Sequence, residues 1–578
     1  MKHMRFFLLL SSCLAFFTTP LQADILNHIV CTMGSGGEGR VIPMAAAPFG
    51  MVELGPDTYF SGSGYHYTHT ATFGFSHTHK SGGGGTDFQD ILFLPLTGNK
   101  WSKIDQLPAE ITATFSHTGE IAQPGYYRLL LKDFHINAEL TATPRCGMHR
   151  YSYPDPSSRF LLVNLKTGSE NSTTIYDDEN FDTVHYSSLE WVDQRTIRGC
   201  RISNGWCPEQ HVYFYARFSQ PIQTFRLFSH LHLQQEQRFA EGTDIRALLS
   251  FASSSRPIEI AVGISPVSMN GARLNLQKEI GHRSFDAVRK ATQQSWRRQL
   301  SVLQIEGDSD LTKTFYSCLY FAQLYPQLYS DVDGSYRSSD KQIYQGKRRY
   351  FAGVLGLWDT FRAQDPLIAL LHPDITRDLM QTFLEHFRHC GQLPIWTLAG
   401  QENMCMIGYH SMPVIADAYA KGIRTGYDVR ALYDAMKISA NRDTFGFFLK
   451  DYRGARLYKH YHYCPCDSEI TSVSKTLEYA YDDWCIAQMA RMLGHSEDYH
   501  AYLKRAAFYR NVFAPSTMFM RGRQANGSWR TPFDPFLSNH YHEGDDFCEG
   551  DAWQWTFFVP HDGKGLIHLF GSRQRFVS

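Results

Sequence analysis

The stretch "SFDAVRKATQQSWRRQLSVL", Ser284 to Leu303, is where the chain changes its grammar. It reads with a helical period, whereas everything before it reads as strands. From about residue 24 to 270 short alternating runs recur, as in "GYYRLLLKDFHINAELTATPR", "RFLLVNLKTG", "VYFYARFS" and "IEIAVGISPVS". Gly, Asn, Pro and Ser clusters separate them, and many short strands at that spacing predict a β-sandwich. After about residue 305 the helical period dominates. The expected organisation is therefore an α+β multidomain chain: a β-sandwich over 24–270, a helical linker over 271–305, and a helical domain over 306–578.

The helical half punctuates itself. Asp374 is the expected N-cap of a helix whose Leu379, Phe383 and Phe387 form one stripe before Gly391 and Pro394 stop it. "HSMPVIADAYAKG" places Pro413 near a helix start and Gly422 just past its end. "SKTLEYAYDDWCIAQMARMLG" runs from Ser474 to a terminating Gly494, with Leu477, Tyr481, Trp484 and Gln488 aligned. No short exact repeat is visible, so a helical toroid is expected rather than a regular solenoid.

Composition excludes some partners. Fifty-six Lys and Arg balance 57 Asp and Glu, net −1, and neither a nucleic-acid backbone nor an anionic membrane surface is matched by so little positive surplus. Aromatic residues make up 14% of the chain, and many lie in polar, Gly-rich company such as "SGSGYHYTHTATFGFSHTHK", Ser61 to Lys80. Rings so placed suit the faces of sugars, although core packing explains most individual rings.

The N-terminus "MKHMRFFLLLSSCLAFFTTPLQAD" carries Lys2 and Arg5, then an apolar run from Phe6 to Phe17, then a polar stretch to Ala23. This is the pattern of an export signal over 1–23, with a run too short to be a transmembrane segment, so a secreted or periplasmic protein is expected. Leu10-Ser11-Ser12-Cys13 offers the alternative of a lipid anchor at Cys13. Of the 12 cysteines, Cys200/Cys207 and Cys464/Cys466 are close enough to suggest pairing, which sequence alone does not settle.

Four segments combine reactive groups with permissive glycines: "GSGGEGRVIPMAAAPFGMVELGPDT", "LGLWDTFRAQDP", "GQLPIWTLAGQENMCMIGYH" and "DFCEGDAWQW". Each is weak alone. Gly34 to Gly39 lacks the Lys-Ser/Thr ending of a phosphate loop and reads as a tight turn, and His66, His69, His77 and His79 match no H-E-x-x-H zinc motif.

In order, "PFGMVELGPDT", "GYHY", "GFSHTHKSGGG", "WDTFR", "LPIWTLAG", "CMIGYH", "PVIADAYAKGI", "SVSKTLEYAYDDWCIAQ", "MRGR" and "EGDAWQWTFFVPHD" resemble glycoside hydrolase family 92, the calcium-dependent exo-α-mannosidases. The resemblance runs over nearly all of residues 25 to 578. It implies a β-sandwich followed by an (α/α)6 toroid, a Ca2+ cofactor, mannose-containing glycans as partners, and inverting hydrolysis of terminal α-mannosides, α-1,2-linked ones above all. By it Glu549 is the general acid, with Asp551 where the family has Asn; read from residues alone, Glu549 is equally a helix cap. Trp358 and Asp359 correspond to the sugar-binding pair, and Glu402 and Cys405 to the same pocket, although "GQENMC" departs from the family's G-N-E-x-x-C. Phe49, Gly50 and His79 would be the sandwich's contribution.

Inversion needs a second carboxyl about 6.5–9.5 Å from the first to activate water. In the family it comes from a G-N-D-D-x-G segment, followed by N-E-P-S-H-H, both well beyond the acid. The chain reaches Ser578 without either, so an incomplete toroid and an incomplete catalytic pair are expected. Three readings follow: a product inactive alone, a mannoside-binding remnant, or one part of an enzyme completed by a second polypeptide.

Overall fold

A computed structural model describes residues 24–59, 63–83, 87–168, 183–443, 454–538 and 544–578. The expected export signal, 1–23, lies outside them. The N-terminal half folds into two antiparallel sheets. One has eight strands and runs from Ala45–Ala46 through Glu53–Asp57, Gly74–Ser76, Leu92–Leu96, Phe160–Asn164, Ile245–Phe251 and Ile222–Ser229 to His232–Gln234. The other has nine and centres on Gln210–Phe218, Ile258–Ser265 and Cys146–Ser152.

Alternation explains the packing. In Gln210–Phe218 the residues Val212, Phe214, Ala216 and Phe218 are buried while Tyr213, Tyr215 and Arg217 are partly exposed, so one face lies on the core. Phe93 and Val163 of one sheet and Phe214 and Val262 of the other lie on the facing sides, all fully buried. Each such side chain contributes roughly 1.5–3 kcal/mol relative to exposure.

The connector is two helices, Met269–Glu279 and Phe285–Leu300, capped by the side chains of Ser268 and Ser284. It is not a free span. Phe285, Val288, Trp296 and Leu300 are buried, and the Trp296 indole donates to the Ala46 carbonyl at 2.7 Å. Beyond it the two halves are stitched by backbone: Phe49 N–H donates to the Gln323 carbonyl at 3.0 Å and Leu328 N–H to the Phe49 carbonyl at 3.2 Å. One apolar cluster, holding both Phe49 and Phe383, runs through both halves.

In the helical half, Pro373–Cys390 starts two residues earlier than its expected cap allows. His372 is at the N-cap position, Pro373 opens the first turn, and Asp374 falls within that turn. Gly391 ends the helix at φ 73°. Ser472–Leu493 ends at Gly494 as expected, but its aligned stripe is not the core face. Tyr481, Trp484 and Gln488 are only partly buried, whereas Ser474, Glu478, Asp482, Asp483 and Cys485 are buried. This helix is enclosed on almost every side. Among the described residues no disulfide forms, so the suggested Cys200/Cys207 and Cys464/Cys466 bridges are absent. No described helix is long and apolar enough to cross a membrane.

Candidate active site

Three short antiparallel strands, Val354–Gly356, Trp396–Leu398 and Gln401–Glu402, set the floor, with Gly356 opposite Trp396. A Cβ at position 356 would lie 2.7 Å from Trp396 Nε1 and 3.1 Å from Asp359 Oδ2. Only glycine lets the indole and the carboxylate share that space. The helix Leu357–Thr360 follows at once and presents Trp358 and Asp359.

Asp359 lies beside the Trp396 indole, the two meeting over Gly356. Burial raises its pKa, against the pull of Arg362, His410, Trp396 and Lys80. Trp358 is held differently: its indole N–H donates to Glu478 Oε1 at 3.0 Å, and Arg362 lies over its ring at 4.9 Å. Glu478 is buried, accepts from Arg362 at 2.9 Å, and lies 3.5 Å from His410 Nε2.

The sandwich contributes Lys80, which is 3% exposed, with its Nζ 4.6 Å from the Trp206 ring and 5.7 Å from that of Trp396. Asp87 fixes the turn carrying Trp206 by accepting from Trp206 N–H at 3.1 Å and Cys207 N–H at 2.9 Å. Between the halves lies a cavity of about 370 Å³, lined by Lys80, Tyr325, Asp359, Gln364, Asp365 and Trp396 among others. That volume and its place between domains are usual for small-ligand sites.

The acids of "DFCEGDAWQW" have separate tasks. Asp546 accepts from Arg530 at 2.9 Å and from Ser472 at 3.0 Å. Asp545, the residue before the stretch, accepts from Phe547 N–H at 2.9 Å. Asp551 caps the helix Ala552–Trp555 in a reciprocal box with Gln554, so the helix cap is Asp551 and not Glu549. Glu549 makes no hydrogen bond or ion pair among the described residues. It sits at an open rim at φ 47°, a left-handed conformation costly for a residue with a Cβ. Burial of its surroundings raises its pKa, and the charge of Asp359 raises it further. The Cys548 carbonyl, which precedes it, is pinned by the Trp555 indole at 2.8 Å. Trp553, in contrast, is 47% exposed.

The structure thus places Asp359, Cys405 and Glu549 within electrostatic reach of one another, with Trp358 next to Asp359 on the same short helix; of the four, Asp359 lines the cavity. Cys405 is partly buried; its thiol is pushed up to about 12 by burial, with the charges of Lys80, Asp359 and Glu549 around it. The other expected residues stand behind the walls. His79 is fully buried one residue before Lys80, bonded to the Glu53 carbonyl at 2.6 Å and to Asp57 at 3.0 Å. Phe49 packs edge-on to His372 at 5.8 Å, and Gly50 lies against Pro144, where a Cβ would come within 3.2 Å of backbone. Glu402 does not reach the cavity: its carboxylate accepts from the N–H groups of Ile395, Trp396 and Met404 at 2.8–2.9 Å. Burial nonetheless pushes it up to about 7. Its work is to shape the strand that carries Trp396.

Lys80, Trp206, Trp396 and Glu478 were not singled out from sequence. Three of them lie inside quoted segments, "GFSHTHKSGGG", "LPIWTLAG" and "SVSKTLEYAYDDWCIAQ", so the signal was the segment and not the residue. No described residues are assigned to the Ca2+ that the resemblance implies. Among the described residues no three His, Cys, Asp or Glu gather as a metal-holding group, His66, His69, His77 and His79 included.

Comparison with known proteins agrees with this geometry. Residues 28–265 match the glycosyl hydrolase family 92 N-terminal domain and residues 271–578 its catalytic domain. The solved family GH92 alpha-mannosidase BT3965 of Bacteroides thetaiotaomicron, in complex with mannoimidazole, superposes with a TM-score of 0.88 at 34% identity, over 96% of this chain and 73% of that one. The inverting mannosidase BT2199 of the same organism gives 0.84 at 27% identity, with the same coverage. An uncharacterized secreted glycosidase of Arthroderma benhamiae is 24% identical over 96% of this chain and 73% of its own length. With each half matched by one domain of a single family and the fold following solved members along nearly its whole length, the chain belongs to glycosyl hydrolase family 92.

Proposed function

We propose that the interdomain cavity holds the terminal α-mannosyl residue of exported or extracellular glycans, α-1,2-linked ones included, and that Glu549 protonates the leaving oxygen in an inverting hydrolysis, whose water-activating carboxyl is not among the residues of the described site. The observation that carries this is Glu549 itself. Among the described residues it is the acid of its segment without a hydrogen-bond or ion-pair partner, kept in a strained backbone conformation, with its proton affinity raised by desolvation and by Asp359. A general acid must hold its proton at working pH, and those two influences act in that direction.

Asp359 accepts from sugar hydroxyls, and Trp358 and Trp396 supply ring faces beside it. With the Trp396 indole beside it, Asp359 is placed to hold sugar rather than to activate water. That same commitment favours a second reading, a mannoside-binding protein without turnover. Export fits the basic and apolar pattern of residues 1–23 and the secreted relative.

Proton NMR of the purified protein with α-1,2-mannobiose separates the readings. β-Mannose appearing first supports inverting hydrolysis. α-Mannose appearing first contradicts inversion, and saturable binding with no release establishes the binding protein.

A further inference from the structure

Lys80 carries a charge into the cavity wall without a partner for it. Its ammonium is buried, makes no ion pair, and none of its three donors finds an acceptor among the described residues. Burying a charge unpaired costs several kcal/mol. The indoles of Trp206 and Trp396, at 4.6 and 5.7 Å, offset part of this through cation–π attraction. A ring face, however, leaves N–H donors unfilled. Burial lowers the Lys80 pKa to about 8, while Asp87, Cys405 and Asp359 pull it back up. The same amine lines the cavity beside Asp359, whose charged carboxylate accepts and does not donate.

We propose that Lys80 is a substrate-contacting, specificity-determining residue whose ammonium donates to one oxygen of the bound sugar while Asp359 accepts from a neighbouring hydroxyl. The two side chains would read adjacent sugar oxygens as an acceptor and a donor. The ligand class is a neutral hexose. An anionic substituent would have to enter beside Asp359, whose charge opposes it. The inference rests on the sugar-binding reading of the cavity and adds to it the residue that sets orientation. The competing role is purely structural, a cation riveting the sandwich turn of Trp206 to the strand of Trp396.

The test is calorimetric titration of mannose and its monodeoxy analogues into Glu549→Gln protein, with and without Lys80→Met. Mannose binding should weaken about 10- to 100-fold on losing a charged donor. For one monodeoxy mannose, the analogue lacking the contacted oxygen, the two proteins should bind with equal affinity. A rivet would weaken every analogue alike, and that pattern overturns the proposal, as does mannose affinity unchanged by Lys80→Met. Lys80→Gln, which keeps a donor, should recover part of the loss; if Lys80→Met does not fold, the analogue comparison is made on Lys80→Gln. Tighter binding of mannose 6-phosphate than of mannose, lost with Lys80, overturns the neutral assignment. Absence of mannose binding by the Glu549→Gln parent overturns the sugar-binding reading and this inference together, whereas parental binding insensitive to Lys80 overturns this inference alone.

Discussion

The indole N–H of Trp358 donates to the Glu478 carboxylate across 3.0 Å. Through that bond the short helix carrying Asp359 is tied to Ser472–Leu493, the most enclosed helix of the domain. Arg362 and His410 converge on the same carboxylate, and His410 Nδ1 meets Asp482 at 2.9 Å. Burial alone would lower the His410 pKa, but Asp482 and Glu478 outweigh it and hold the imidazolium above its ordinary range. Glu478→Ala leaves two cations facing an empty site. It should cost about 3–5 kcal/mol, read as a lowered denaturant midpoint, and should weaken mannose binding because Asp359 loses its support. An unchanged midpoint would show that the network carries no net stability.

The two site carboxyls are electrically coupled, and the sign of the coupling is testable. The negative charge of Asp359 raises the Glu549 pKa, so Asp359→Asn should lower it. Hydrolysis requires Glu549 protonated, and its loss of activity at alkaline pH should therefore begin at lower pH in the variant. The profile of kcat/KM against pH shows this independently of the fall in overall rate. A profile unmoved along the pH axis would mean that Glu549 is not the titrating acid.

Glu402 gives a stability signature. Burial pushes its pKa up to about 7 in the fold, against about 4.3 for an unperturbed Glu. A folded pKa above the unfolded one means stability fully present at low pH and lost as pH rises, here between about pH 4 and 7. Glu402→Gln removes this titration. The variant should be less stable than wild type at every pH, since Gln cannot accept from all three backbone donors, but the gap in Tm should narrow from about pH 4 to 7. A gap constant with pH would show that Glu402 does not titrate in that window.

At Glu549 function and backbone comfort are opposed. A left-handed non-glycine residue stores roughly 1–3 kcal/mol, and glycine adopts φ 47° without that strain. Glu549→Gly should leave Tm equal or higher while mannose release is lost. A clearly lowered Tm would assign Glu549 a structural role instead.

The strand-to-helix change at Ser284–Leu303 was legible because periods of 2.0 and 3.6 residues are imposed by backbone geometry alone. Gly391 and Gly494 were legible for the same reason, as left-handed helix ends. The face of Ser472–Leu493 was not: in a helix enclosed all round, buried acids such as Glu478 and Asp482 are satisfied by partners distant in sequence, and no local pattern announces them. The same holds at the site. The segments were visible, but whether His79 or Lys80 faces the cavity depends on how one loop leaves the sheet. Glu402 and Glu549 are both acids beside glycines, and only their hydrogen bonds separate the structural carboxylate from the unpartnered one.

The central claim is that Glu549 delivers the proton, and leaving-group dependence tests it most directly. Mannose release should be measured for wild type and Glu549→Gln on α-1,2-mannobiose and on an aryl α-mannoside with an acidic phenol. The disaccharide's leaving alcohol needs a proton and the phenolate does not. Glu549→Gln should therefore slow the disaccharide by about 100-fold or more while sparing much of the aryl rate. Equal losses on both substrates, or none on the disaccharide, would contradict the account.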